Sequence, residues 1–235
     1  MLGTILALGG GGFSMEPENP LLDDFLLSLA RRPAGRPRIC FVPTASGDAD
    51  GYVERFEEAF ADHADTSVLR LFRRTEEDLR AFIGRQDVVF VGGGNTVSLL
   101  AVWRSHGLDK VLVDAAADGV VLAGISAGMN CWFEASVTDS YGEDRLDPLP
   151  DGLGLIAGSA CPHYDGEEQR RPCYREFVAT AKLPGGYAVD DGCALLLRDG
   201  ELVEAVSSRR SARALRVSMD NQRLVETPLD VRYLG

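Results

Sequence analysis

Residues 120–128 read Val-Val-Leu-Ala-Gly-Ile-Ser-Ala-Gly, and we build the prediction of the fold outward from this stretch. Its first four residues are apolar and two of them are β-branched, as in a buried strand, whereas residues 127–133 can form a helix. Gly124 and Gly128 flank Ser126 in the Gly-x-Ser-x-Gly spacing of a sharp strand-to-helix turn, which exposes the serine oxygen. We therefore predict that Ser126 is a nucleophile and that the Ala127 N–H helps to hold the resulting oxyanion.

Further apolar runs alternate with segments of helical periodicity. The predicted strands are Thr4-Leu8, Arg38-Val42, Ser67-Leu71, Val88-Val91 and Val120-Ala123. This alternation predicts an α/β fold with a doubly wound, mostly parallel sheet flanked by helices, and with residues 137–154 as its longest loop. Two late runs, 194–197 and 202–206, flank an Asp-Gly turn and predict a C-terminal β-hairpin region. We expect residues 1–235 to form a single domain.

The composition restricts the classes of partner. Acidic residues outnumber basic ones by 36 to 24, and the formal net charge of −12 would repel a phosphate backbone or an anionic membrane surface. We therefore expect neither nucleic acid nor a membrane as partner. The five cysteines include no Cys-x-x-Cys pair. This usage indicates neither a disulfide framework nor a zinc site, so we expect no metal, no cofactor and a cytoplasmic location.

Two glycine-rich runs follow predicted strands. The run Gly92-Gly93-Gly94 can direct backbone N–H groups at an anion, and functional loops gather at the carboxyl ends of parallel strands. We therefore predict that Gly93 or Gly94 supplies the second oxyanion donor, although a tight turn without a ligand fits the spacing equally well. The run Gly9-Gly12 is similar to a dinucleotide-binding turn but lacks the third glycine, and close backbone packing near the site is the better interpretation.

The general base has few candidates, because the chain contains three histidines. His63 and His106 lie at the ends of helical segments, where a solvated or capping histidine is ordinary. His163 follows the β-like run 155–159, and by elimination it is the candidate base. Spacing does not choose the carboxylate that would orient this imidazole. The open alternatives are Glu134, Asp139, Asp165, Asp190 and Asp191.

Together these motifs resemble the serine peptidases typified by peptidase E, the aspartyl dipeptidase, and by cyanophycinase. The resemblance covers about residues 88–192 and follows the family's order. Its motifs are Val91-Gly92-Gly93-Gly94-Asn95-Thr96, Gly124-Ile125-Ser126-Ala127-Gly128 with Asn130, Pro162-His163-Tyr164 and Asp190-Asp191-Gly192.

The resemblance implies a fold similar to class I glutamine amidotransferases, with Ser126 as nucleophile and His163 as base. Asp191 best matches the third member of the family's triad, which is typically a glutamate followed by glycine. The resemblance also makes Asn95, Arg170 and Arg171 the candidate substrate-binding residues.

The predicted function is hydrolysis of small peptides by a Ser-His-Asp triad, with dipeptides, including Asp-X dipeptides, as candidate substrates. The alternative is a weakly active or inactive family member that binds a small anionic ligand through its glycine loops. A third hypothesis is a nucleotide-binding oxidoreductase built on Gly9-Gly12. A small peptide is the expected partner. We also predict a possible homodimer, with Trp103 or Trp132 as exposed apolar groups at its interface.

Overall fold

The computed structural model describes residues 3–30, 35–142 and 145–235. Its strands are β1 Thr4–Leu8, β2 Arg38–Val42, β3 Asp65–Val68, β4 Val88–Val91, β5 Val121–Ile125, β6 Phe133–Thr138, β7 Asp147–Leu149, β8 Ile156–Cys161, β9 Gly186–Val189, β10 Cys193–Arg198, β11 Glu201–Ser207, β12 Ala214–Asp220, β13 Arg223–Pro228 and β14 Val231–Tyr233. Its α-helices are α1 Gly12–Met15, α2 Leu21–Ser28, α3 Asp50–Phe60, α4 Leu79–Ile83, α5 Thr96–His106, α6 Leu108–Ala117, α7 Ala127–Asn130 and α8 Arg170–Ala179, with a 3-10 turn at Thr44–Ser46. In the described ranges, every helix is too short or too polar to cross a membrane.

The central sheet has eight strands in the order β14-β11-β10-β1-β5-β4-β2-β3. The strands from β1 to β3 in this order pair in parallel, and their residues are mostly buried because helices cover both faces. The predicted α/β fold with a mostly parallel sheet flanked by helices is therefore confirmed. The C-terminal hairpin is confirmed as well, since β10 and β11 pair antiparallel.

A second sheet of six strands, in the order β13-β12-β9-β8-β6-β7, was not predicted. It takes in β6, whose last two residues lie in the stretch predicted as a loop over residues 137–154, and β7, which lies wholly within that stretch. The helix predicted over residues 127–133 ends at Asn130 instead. The reason is tertiary: Phe133 pairs with Ile156 of β8, and this pairing outweighs local helical preference.

Both tryptophans lie in the core, so their predicted exposure is wrong. Trp103 and Trp132 each have 0% of their surface exposed, and their ring centroids are 5.9 Å apart. The Trp103 indole N–H donates to Thr44 Oγ1 at 3.1 Å, which satisfies its polar atom inside the core. The sequence argument for a homodimer interface at these residues therefore no longer stands.

Candidate active site

Ser126 lies between the two glycine-rich runs because of the strand order. Strand β5, which ends immediately before Ser126, is hydrogen-bonded to β1 on one side and to β4 on the other. Residues 9–12 follow β1 and residues 92–94 follow β4, so both runs extend from the same edge of the sheet as Ser126. The structure thus brings together three motifs that lie at residues 9–12, 92–94 and 124–128 of the sequence.

The turn at Ser126 has the strained backbone of an exposed nucleophile. Ser126 has φ 57° and ψ −113°, values that non-glycine residues rarely adopt, and its N–H donates to Leu8 O at 3.2 Å. Side chains at the flanking glycines would clash with backbone. A Cβ at Gly124 would lie 2.2 Å from Gly128 O, and one at Gly128 would lie 2.3 Å from Val91 O. Ser126 itself is half-buried.

Helix α7 is shorter than the helix predicted from the sequence. It spans a single turn, so its dipole is weak, but the N–H of Ala127 is still its first. Within the described residues, neither this N–H nor the Ser126 hydroxyl makes a hydrogen bond. Nucleophile–base hydrogen bonds are often long in unliganded enzymes and tighten when substrate binds.

The second sheet supplies the imidazole and its carboxylate. His163 follows the end of β8 and Asp191 follows the end of β9, and these two strands pair in parallel. His163 Nδ1 lies 2.6 Å from Asp191 Oδ1, and each residue is 8% exposed. His163 also has a positive φ of 53°, and its N–H donates to Gly9 O at 3.2 Å. With Nδ1 bound to the carboxylate, Nε2 is the nitrogen left for proton transfer.

The other four carboxylates left open by the sequence bind elsewhere. Asp190 Oδ2 accepts the Arg213 N–H at 2.9 Å, and burial raises the pKa of this carboxyl. Asp165 Oδ1 accepts the Asp191 N–H at 2.8 Å. Glu134 accepts the Gly158 N–H at 3.1 Å, and Asp139 pairs with Arg170 at 3.3 Å. Among the described residues, Asp191 is thus the carboxylate that contacts His163.

The run Gly9-Gly12 packs against the histidine–aspartate pair. A Cβ at Gly10 would lie 1.9 Å from Asp191 Oδ1 and 3.1 Å from His163 Nδ1. A Cβ at Gly166 would lie 2.4 Å from Asp191 Oδ2. The Asp191 carboxylate is therefore confined between two glycines. This geometry agrees with the interpretation of close backbone packing and leaves the dinucleotide-binding turn without support.

The three glycines after β4 have different neighbours. A Cβ at Gly92 would lie 2.9 Å from Tyr52 Cε1, and one at Gly93 would lie 3.3 Å from Ser126 Cβ. Gly94 has φ 135°, and its Cβ position is 2.3 Å from Ala45 O. The Gly93 N–H donates to the Tyr52 hydroxyl at 3.2 Å, whereas the Gly94 N–H makes no hydrogen bond within the described residues. The loop thus lies beside Ser126, as an oxyanion donor must.

The three predicted substrate-binding residues are already bound within the chain. Asn95 caps α5, since its Oδ1 accepts the Ser98 N–H at 2.8 Å and its Nδ2 donates to Ser140 O at 2.9 Å. Arg170 is 2% exposed and pairs with Glu167 at 2.6 Å, which places it in the interior. These contacts argue against a substrate-binding role for either residue and assign them structural roles.

Arg171 is more exposed, but its guanidinium is already paired with a carboxylate. Its guanidinium lies 2.7 Å from Glu226 Oε2, and Arg175 contacts the same carboxylate oxygen at 2.7 Å. Arg171 borders a cavity of about 270 Å³ that Asp165, Asp190 and Arg213 also line. Of the predicted substrate contacts, Arg171 is therefore the one beside open space, and binding an anion there would compete with Glu226.

Four of the five cysteines are buried, and Cys173 is half-buried. All five thiols are free, and burial raises the pKa of Cys40 and Cys193 to about 12, so both stay protonated. Cys131 is fully buried in the core, as the sequence suggests. Among the residues that the structure describes, no three His, Cys, Asp or Glu side chains are grouped as metal ligands.

Two features of the site were not predicted from the sequence. The glycine at position 166 leaves room for Asp191, and nothing in its local pattern marks it. Tyr52 reaches Gly93 from within α3, where its spacing indicates ordinary core packing. The Gly10 contact could have been found from the first glycine run, because that run was expected to pack near the site.

Comparison with known proteins agrees with the geometry. The sequence model described as peptidase family S51 matches residues 5–205. A curated Bacillus subtilis (strain 168) protein, named uncharacterized peptidase YgaJ, is 50% identical over 232 residues, which are 98% of this chain and 99% of that protein. Peptidase E of Streptomyces coelicolor is 37% identical over 162 residues, which are 65% of this chain and 64% of the relative.

Solved structures of similar fold also belong to peptidases. The crystal structure of a peptidase from an acI-B1 Actinobacterium has a TM-score of 0.70 at 16% identity and covers 97% of this chain and 95% of that one. A putative peptidase E protein from Listeria monocytogenes EGD-e has a TM-score of 0.64 at 20% identity, with 86% and 98% covered. At these identities the two structures support the fold alone.

Proposed function

Because the chain belongs to peptidase family S51, and is thus a serine-type peptidase, we propose that Ser126, His163 and Asp191 are its catalytic triad. The observation that carries this proposal is the 2.6 Å contact between His163 Nδ1 and Asp191 Oδ1. The N–H of the same histidine bonds to Gly9 O, next to the Leu8 O that accepts the Ser126 N–H. The N–H groups of Ala127 and of Gly93 or Gly94 are the proposed oxyanion donors.

The proposed reaction is acyl transfer to water. Ser126 Oγ attacks the amide carbon while its proton moves to His163 Nε2, and the carbonyl oxygen becomes an oxyanion. Collapse of this intermediate breaks the C–N bond, and His163 gives its proton to the leaving amine. Water then attacks the ester, passes a proton to His163, and releases the acid as Ser126 regains its hydrogen. Asp191 holds the imidazole and stabilises its protonated form.

We propose small peptides, and dipeptides in particular, as the substrates. Recognition of an Asp-X dipeptide needs a cation for the acidic side chain, and the described arginines near the site already bind carboxylates. Arg171 and Arg213 both border the cavity of about 270 Å³, but the carboxylates of Asp165 and Asp190 line it as well. We therefore expect at most a modest preference for Asp-X over the isosteric Asn-X dipeptides.

A fluorophosphonate probe tests the nucleophile, and a dipeptide library tests the substrate. We expect the probe to label the wild type and the Ser28→Ala control, whose exposed hydroxyl lies on α2, but not Ser126→Ala. The library should show hydrolysis by the same two proteins alone. Labelling of Ser126→Ala at the wild-type rate would refute the assignment. An unlabelled wild type that is thermally stabilised by small anions would favour the alternative of an inactive binding protein.

A further inference from the structure

The buried hydroxyl of Tyr52 has a contact that the proposed reaction does not explain. Tyr52 lies on α3 with 9% of its surface exposed. Its hydroxyl accepts the Gly93 N–H at 3.2 Å and lies 2.5 Å from Ser14 Oγ. Two segments that follow different strands, α1 after β1 and the Gly92-Gly94 loop after β4, therefore meet at one phenolic oxygen.

The first contact determines which glycine N–H faces the substrate. Gly93 lies directly beside Ser126, with its Cβ position 3.3 Å from Ser126 Cβ and 3.7 Å from Ser126 Oγ. Since the Gly93 N–H is directed at Tyr52, it does not serve a substrate oxygen at the same time. The Gly94 N–H, which has no partner among the described residues, is then the loop donor that remains.

The position of the hydroxyl is itself fixed by packing. The Tyr52 ring packs edge-on against Phe41, with centroids 5.0 Å apart, and lies 5.8 Å from Phe13. Gly92 sits directly on this ring, because a Cβ there would come within 2.9 Å of Tyr52 Cε1. Since the phenolic oxygen accepts one hydrogen bond from Gly93, its own single proton is available for Ser14 Oγ.

We propose that Tyr52 is a positioning residue of the oxyanion hole. Its hydroxyl, oriented by Ser14, holds the Gly93 N–H and so fixes the Gly92–Gly93 peptide, which leaves the next N–H of the loop, that of Gly94, for the developing oxyanion. This inference rests on the proposed function, since it assumes that Ser126 is the nucleophile. It predicts that loss of one hydroxyl outside the triad slows the chemistry without changing the triad itself.

Tyr52→Phe tests the proposal, with Tyr174→Phe as the matched control. Tyr174 is also buried, and its hydroxyl bonds to Ser159 Oγ at 2.8 Å in a separate apolar cluster, so the two changes delete the same group. We expect the rate constant for fluorophosphonate labelling to fall at least ~10-fold in Tyr52→Phe, in line with the loss of a well-placed oxyanion donor, and to stay at the wild-type value in Tyr174→Phe.

Steady-state kinetics separate positioning from general destabilisation. On the dipeptide that the wild type cleaves fastest, Tyr52→Phe should lower kcat with KM within about two-fold, because the missing interaction belongs to the transition state. The midpoints of its pH–rate profile should match those of the wild type, because His163 and Asp191 are unchanged.

Each outcome has one meaning. Labelling of Tyr52→Phe at the wild-type rate overturns the positioning role while leaving the triad intact, whereas failure to label the wild type overturns the proposed function instead. Equal slowing of labelling in Tyr52→Phe and Tyr174→Phe also overturns the positioning role of Tyr52, because the effect is then one of stability. Should Tyr52→Phe not fold, Ser14→Ala takes its place, and a labelling rate equal to that of the wild type refutes the proposal.

Discussion

Gly10→Ala should disable the enzyme through a single methyl group. The added Cβ would lie 1.9 Å from Asp191 Oδ1, and Cβ atoms are essentially never found within 3.0 Å of a neighbour, so the carboxylate must retreat by about 1.1 Å or more. Gly166 lies close to the other carboxylate oxygen, since a Cβ there would be 2.4 Å from Asp191 Oδ2. The carboxylate therefore has little room to move on that side. We therefore expect the Asp191 side chain to rotate away from His163.

The expected loss follows from what the carboxylate does. Replacing the aspartate of a serine-protease triad by asparagine lowers kcat by about 10⁴-fold, because the imidazole is then held in the wrong tautomer. A displaced Asp191 keeps its charge nearby, so we expect kcat to fall by about 10²- to 10⁴-fold. Overpacking of this kind costs about 1–3 kcal/mol in the free energy of unfolding, which urea titration would measure alongside activity.

Two further variants make the Gly10→Ala measurement decisive. Gly51→Ala adds the same methyl group in α3 with nothing within 4 Å, so activity should be unchanged and stability should rise by up to about 1 kcal/mol. The double variant Gly10→Ala/Asp191→Ala should be no less active than Asp191→Ala alone, because both substitutions remove the same interaction, that of Asp191 with His163. Activity of Gly10→Ala within three-fold of the wild type, or additive losses in the double variant, would show that the reasoning is wrong.

Two other predictions concern carboxyl groups, the first those of Asp190 and Asp191 and the second that of Asp23. Asp191→Asn should lower kcat by about 10⁴-fold, whereas Asp190→Asn, whose side chain binds Arg213 rather than His163, should stay within about three-fold of the wild type in the same peptidase assay. Burial raises the pKa of Asp23 to about 7 in the folded state, so folding takes up a proton and stability declines as pH rises from about 4 to 7. Above pH 7 the loss of stability reaches up to about 4 kcal/mol. The free energy of unfolding in urea should therefore differ less between pH 5 and pH 8 in Asp23→Asn than in the wild type. An equal difference in the two proteins would contradict the prediction.

The features that could be predicted from the sequence are those that local chemistry determines. The buried strands of the parallel sheet are continuous apolar runs, and the turn at Ser126 needs its glycines within two residues of the nucleophile. The β10–β11 hairpin likewise follows from one Asp-Gly turn between apolar segments. Each of these signals lies within a window of about ten residues, which is the range in which periodicity and turn chemistry act.

The features that could not be predicted depend on partners that are distant in sequence. From the sequence, Arg171 suits a substrate carboxylate, but in the structure it pairs with Glu226, which lies 55 residues later in the chain. Trp132 lies in the segment predicted as a helix, but Phe133, the next residue, pairs with β8 instead. Asn95 is the exception, because an asparagine at the start of a helical segment is a common N-cap, and that local rule correctly describes its contact with Ser98.

Residues 8–10 show what the first glycine run does in the site. Leu8 O accepts the Ser126 N–H, Gly9 O accepts the His163 N–H, and the Cα of Gly10 faces Asp191. Ser126 and His163 both hold positive φ values, which cost about 1–3 kcal/mol each and persist only where the surroundings fix them. The three residues after the core of β1 thus align a serine from one sheet with a histidine and an aspartate from the other. A side chain at Gly9 would meet Val189 O at 2.5 Å, so the absence of side chains is what allows this contact, and no phosphate is needed to explain the glycines.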